Sequence, residues 1–133
     1  MSSKKKSYGK ANRIMGHNAE RYYAKEFRDL GYKHCITSRQ GSRIHDDSGI
    51  DLIFIPFNVQ IKAGKQRGLN PVVELKNMEE KIKVHFPKDN PVYTYPNLVI
   101  LRKAVGQGIK RTKYDEVVVL AFEDFKQFIK KEE

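Results

Sequence analysis

Apolar residues recur along this chain with two different periods, and the change of period divides it into elements. From about Arg13 to Leu30, the residues Ala19, Tyr23, Phe27 and Leu30 fall at i, i+4, i+8 and i+11, with Arg21, Lys25 and Arg28 opposite. That is the period of an amphipathic helix, and Gly31 follows in the position of a C-cap. Tyr32 to Ser38 reads as a first strand and Arg39 to Ser48 as a polar loop. Ile50 to Ile55 is a short apolar run, Pro56-Phe57-Asn58 a turn and Val59 to Ala63 an alternating strand, a pattern that predicts a hairpin. A Gly- and Lys-rich loop, Gly64 to Asn70, leads through Pro71 into a second helix over about Val72 to Val84. Asn97 to Arg102 (NLVILR) and Glu116 to Ala121 (EVVVLA) have the composition of buried strands, joined by a basic, glycine-containing loop. Glu123 to Lys131 closes the chain as a helix, with Phe125, Phe128 and Ile129 expected to face inward.

The elements run α-β-β-β-α-β and then β-α, which predicts an α/β fold with a mixed central sheet flanked by helices. Residues 1–12 (MSSKKKSYGKAN) are polar, lysine-rich and aperiodic, and read as a flexible basic N-terminal arm. Residues 13–133 make a single domain, large enough for a core of its own. No internal repeat is visible.

Composition narrows the function classes. Apolar residues are 39% and charged residues 32%, ordinary values for a soluble globular chain. No apolar stretch approaches the roughly 20 residues of a membrane span, and no signal-peptide apolar region opens the chain. Cys35 is alone, which leaves no intrachain disulfide and no cysteine-based zinc site, and makes a reducing intracellular, cytoplasmic setting the default. The formal net charge of +10 points to a polyanionic partner, with nucleic acid favoured over an acidic membrane.

The chemistry concentrates around the expected hairpin. Residues two apart on a strand share a face, so Val59 and Ile61 turn to the core while Gln60 and Lys62 point the other way together. An even-length turn pairs Asp51 with Lys62 and Ile53 with Gln60, placing Asp51 on that polar face; an odd turn requires a bulge to do so. Glu20 lies on the first helix about 20° beyond Phe27, at the edge of the apolar stripe, where it can lean over the sheet. Glu26 occupies the other edge and rivals it on geometry, as Asp46 and Asp47 rival Asp51.

Phosphodiester hydrolysis needs a hard cation that polarises a phosphoryl oxygen and activates water. Magnesium takes oxygen ligands. Glu20, Asp51, the Gln60 amide oxygen and the Ile61 carbonyl can supply them, with Lys62 orienting the water or stabilising developing charge. An amide at position 60 keeps the oxygen acceptor of a carboxylate and removes its charge. Lys65-Gln66-Arg67, directly after Lys62, suits contact with backbone phosphates. Arg21, Arg39 and Lys4, Lys5 and Lys6 extend the candidate DNA-binding surface. The four histidines share no ligand spacing, and Tyr93 and Tyr95 read as packing residues at a sheet edge or dimer interface, with stacking on bases as the alternative.

These residues resemble archaeal-type Holliday junction resolvases, within the PD-(D/E)xK nuclease superfamily. Gly16-His17-Asn18-Ala19-Glu20-Arg21 is similar to the Gly-x-x-Ala-Glu-Arg helix start of that family, with the metal-linked Glu at Glu20. Leu30-Gly31-Tyr32 resembles its helix end, and Arg39-Gln40-Gly41-Ser42 its Arg-x-Gly-Ser loop, whose serine matters for activity. Asp51-Leu52 falls where the metal-binding Asp belongs, and Gln60-Ile61-Lys62 where Glu-x-Lys belongs. The likeness covers about residues 13 to 102 and departs at Gln60. It implies a restriction-endonuclease-like αβββαβ core and a magnesium-dependent enzyme, with manganese as a substitute. It also implies a homodimer that holds a four-way DNA junction and cuts one strand per active site, with Ser42 and Arg39 on the strand being cut. A nuclease of the same fold acting on other DNA, and a nuclease-fold module that binds nucleic acid without cutting, are the alternatives.

Overall fold

The computed structural model describes residues 2–64, 69–105 and 113–131. Helix α1 spans Ser2–Asp29 and so begins well before the apolar period that announces it near Arg13. The lysine-rich start contains no proline, and lysine is a good helix former, so nothing local stops the helix. Its buried face carries Ala19, Glu20, Tyr23 and Ala24. Leu30, expected on that stripe, lies beyond the helix and is 75% exposed. Beyond the helix end Gly31 takes φ +115°, and the Tyr32 amide donates back to the Phe27 carbonyl at 3.0 Å.

The segment after α1 is less extended than the expected strand and loop. Strand β1 is only Ile36–Thr37, and the polar stretch folds into two short helices, α2 (Ser38–Gly41) and α3 (Arg43–Asp47). Strand β2, Leu52–Ile53, pairs antiparallel with β1, Ile36 opposite Ile53. Strand β3 is Asn58–Ala63, helix α4 is Pro71–His85, and a 3-10 turn covers Pro91–Thr94. Strands β4 (Asn97–Val105) and β5 (Lys113–Leu120) and helix α5 (Phe122–Ile129) complete the chain.

A three-stranded mixed sheet, ordered β3-β4-β5, forms the centre; β3 and β4 are parallel and β5 is antiparallel to β4. The expected hairpin does not form a ladder, because β2 takes β1 as its partner and the chain turns sharply at Phe54, φ +64°. Alternation sorts the sheet into two cores. Val59, Ile61, Leu98 and Ile100 meet α1 through Ala19, Tyr23 and Ala24, while Val99 and Leu101 meet α4 through Met78 and Ile82. Asn70 caps α4 by accepting from the Val72 amide, and the Tyr93 hydroxyl donates to the carbonyls of Ile82 and Phe86 at its far end.

The C-terminal part departs from its sequence pattern. Val117 and Val118 point to opposite faces of β5, yet are 52% and 54% exposed. The run reads as buried but sits on the sheet's edge, where Leu120 and Glu116 still meet the α1 side while Val117 and Val118 stay open. Helix α5 buries none of its residues: Phe125 and Ile129 are exposed, and Phe128 stacks on Phe57 while staying half exposed. Among the described residues no helix is long and apolar enough to cross a membrane.

Candidate active site at the edge of β3

Strand β3 leaves one edge free of the sheet, and Asp51 fills it. The Asp51 amide donates to the Val59 carbonyl at 2.7 Å, and its carboxylate accepts the Ile61 amide at 2.7 Å. Asp51 therefore grips the backbone at Val59 and Ile61 and does not pair with Lys62 as an even turn requires. The backbone bond from Ile61 is one reason to favour the anion. Burial outweighs it and, together with the charges of Glu20 and Asp46, lifts the carboxyl to about 7, against a pull downward from Lys62.

Glu20 reaches the same region from the α1 side. It is 6% exposed, whereas Glu26 is exposed, so the structure separates these two rivals. Arg39, at the start of the short helix α2, holds Glu20 at both oxygens: Nε to Oε2 at 2.9 Å and Nη2 to Oε1 at 3.4 Å. Arg39 also lies in the field of Asp46 and Asp51. Asp46, a loop rival to Asp51 in the sequence, accepts the Ser38 hydroxyl at 3.4 Å.

Gln60 and Lys62 share the opposite, α4-covered face of β3, opposite Val99 and Leu101 in the ladder. Lys62 lies 3.9 Å from Glu74 in the first turn of α4, both partly buried. The Gln60 Oε1 atom is buried with no hydrogen-bond partner among the described residues. Its Nε2 packs on Gly49, where a Cβ would stand only 3.2 Å away and where φ is +78°. The left-handed backbone favours glycine there, and any side chain would also have to push the Gln60 amide aside.

Other expected positions lie apart. Ser42 caps α3, its Oγ 2.6 Å from His45 Nδ1 and accepting the His45 amide, with no bond to Asp51 or Glu20. Arg21 is exposed and donates to Asn18. Lys65, Arg67 and the loop from 106 to 112 lie outside the described residues, as do the side chains of Lys4, Lys5 and Lys6. The sequence did not single out Glu74, whose only signal is an acidic residue four positions after the Asn70 cap.

Asp51 thus stands at a strand edge, with Glu20 and Arg39 from one side of the sheet and Lys62 and Glu74 on the other. Among the described residues no three His, Cys, Asp or Glu side chains form a group that could hold a metal ion. Glu20, Asp51 and the unpartnered Gln60 oxygen offer hard oxygens of the type that suits magnesium. In comparisons with known proteins, no family model, no curated protein and no solved structure matches this chain.

Proposed function

We propose that this chain is a metal-dependent DNA endonuclease with a restriction-endonuclease-like core, acting on branched DNA such as a four-way junction. One observation carries the reading: Asp51, clamped on the β3 backbone, feels the charge of both Glu20 and Lys62. Burial first, and then the charges of Glu20 and Asp46, raise this carboxyl to about 7 despite Lys62, and a hard cation at the site would favour its anion.

Glu20 and Asp51 would hold Mg2+ or Mn2+, with Gln60 Oε1 an auxiliary acceptor on the α4 side of the same strand, and the ion when bound would supply a polarised phosphoryl oxygen and an activated water. The chain's own groups do the rest. The Ile61 amide fixes the Asp51 carboxylate, and Glu74 steadies the Lys62 ammonium, which stabilises negative charge on the phosphate. Arg39, 47% exposed at its side chain, exchanges Glu20 for a phosphate oxygen of the strand being cut. Net charge of +10 supports the polyanionic substrate. The bare edge of β5 and the exposed Phe122 and Ile129 of α5 support a homodimer with two such sites. The buried free thiol of Cys35 accords with a reducing, intracellular setting.

A second reading rests on Gln60. With an amide in place of a third charged ligand, the same fold would bind nucleic acid without cutting. Incubation of labelled four-way junction, flap and linear duplex with magnesium or manganese separates these cases. Junction cutting in preference to duplex is the expected result. Tight junction binding with no cutting under either ion leaves only the binding module, and equal cutting of plain duplex rules out the junction preference.

A further inference from the structure

Among the described residues Phe54 alone, apart from glycines, has a positive φ, +64°, and its ring is 65% exposed. A bulky side chain in the left-handed region costs folding free energy. Glycine would make this turn without strain, so the turn itself gives no reason for a phenyl ring. Nor does aromatic packing, since Phe54 makes no ring contact with another aromatic side chain among the described residues.

The ring lines a cavity of about 590 Å³, within the range of pockets that hold small organic groups. Flat or rigid walls come from Phe54, Pro56, Tyr95 and His45, with Ser42 and Asn90 between them. None of the lining residues is Lys, Arg, Asp or Glu, and burial lowers the His45 pKa, keeping its imidazole neutral at pH 7. Ser42 engages His45 Nδ1, and Asn90 Oδ1 caps the 3-10 turn as Asn70 caps α4, accepting the Val92 amide. His45 Nε2, the Asn90 amide nitrogen and the Tyr95 hydroxyl remain for a ligand. Ile50 and Leu52 also line the cavity, one on each side of Asp51. The cavity wall therefore runs along the chain immediately before and after Asp51.

We propose that this cavity takes an unpaired nucleobase of the DNA held at Asp51, with Phe54 stacking on the base. The inference rests on the nuclease reading above and adds a subsite to it. Uncharged walls suit a base and not a phosphate or an acidic peptide, while flat rings suit its π-face. A base within a duplex has both faces covered, so only an unpaired or extruded base can use the site. Flaps and bulges supply such bases, and a four-way junction supplies one where a pair at the crossover opens.

The test compares binding to a duplex with one unpaired, bulged base and to the same duplex fully paired, in EDTA so that no strand is cut. Base–aromatic stacking corresponds to roughly 5- to 150-fold in affinity. The wild-type chain is expected to prefer the bulged duplex about tenfold. Phe54→Gly should abolish the preference and leave paired-duplex affinity unchanged, and Phe54→Trp should keep it. Glycine accommodates φ +64°, so Phe54→Gly should melt no lower than wild type. A preference intact in Phe54→Gly, equal losses on both duplexes, or a much lower melting temperature overturns the proposal. A wild-type chain that cuts DNA but shows no preference for the bulge overturns this subsite alone; one that binds neither duplex overturns the nuclease reading with it.

Discussion

Arg39 closes a two-point ion pair on Glu20, with Nε 2.9 Å from Oε2 and Nη2 3.4 Å from Oε1. The carboxylate is 7% exposed at its side chain and the guanidinium 47%. Removing the arginine leaves a buried carboxylate without its hydrogen bonds, a loss softened by the solvent that already reaches Arg39. Arg39→Ala should cost about 1–2 kcal/mol in urea unfolding with EDTA. Magnesium should restore part of that if it shares Glu20. A loss too small to measure would show that the pair holds nothing in place.

The Asp51 carboxyl predicts a slope of stability with pH. Burial, Glu20 and Asp46 raise it from 3.8 to about 7 in the folded chain. Between those values the folded state holds a proton that the unfolded state has released. The stabilisation is complete below about pH 4, falls as pH rises, and is gone above about pH 7. Asp51→Asn has no such proton. From pH 5 to pH 8, without divalent ions, wild type should therefore lose on the order of 2–3 kcal/mol relative to Asp51→Asn. Equal differences at the two pH values would contradict a raised carboxyl.

Lys62 lies 3.9 Å from Glu74 on the face of β3 that α4 covers, beside Leu101 in the ladder. Lys62→Ala should lower single-turnover cleavage by about a hundredfold or more, the scale of one lost donor to developing charge. Junction affinity should change by less than about threefold, since one phosphate contact among many carries little of it. Equal losses in affinity and rate would make Lys62 a binding residue only.

The limits of the sequence show in particular residues. Glu20 could be placed on the rim of α1 from the 3.6-residue period, but its burial and its bond to Arg39 come from α2 folding back, which no period announces. The alternation of Gln60 and Lys62 against Val59 and Ile61 was legible because a strand leaves no other choice. The register of Asp51 was not, because it depends on Phe54 turning the chain at φ +64° and on Ile53 pairing with Ile36. Val117 and Val118 misled for a related reason: composition tells a strand from a loop but not a central strand from an edge.

That edge yields its own expectation. Val118 is 54% exposed on the edge strand, so in an isolated chain a polar residue there costs little. If two chains meet along β5 and α5, Val118→Lys places like charges in the contact. Sedimentation should then show wild type as a dimer and the variant as a monomer, with the same chain fold by circular dichroism. Wild type sedimenting as a monomer at high concentration would end the dimer proposal.

Gln60 ties the cation and the fold together. Its Oε1 is buried and unpartnered, and its Nε2 lies against Gly49. Gln60→Glu keeps the shape and adds a negative charge on the strand that carries Lys62 and faces the Asp51 edge. Without divalent ions the variant should be less stable than wild type, because a buried carboxylate is costly to ionise. With magnesium the order should narrow or reverse. An ion present at ten times its dissociation constant adds about 1.4 kcal/mol of stability, and tighter binding by the variant adds more at the same concentration. Thermal unfolding across a magnesium titration reads this directly, and cleavage under the same conditions should be retained or raised. A magnesium response identical in Gln60→Glu, wild type and Asp51→Asn would place the ion, and the chemistry assigned to it, elsewhere.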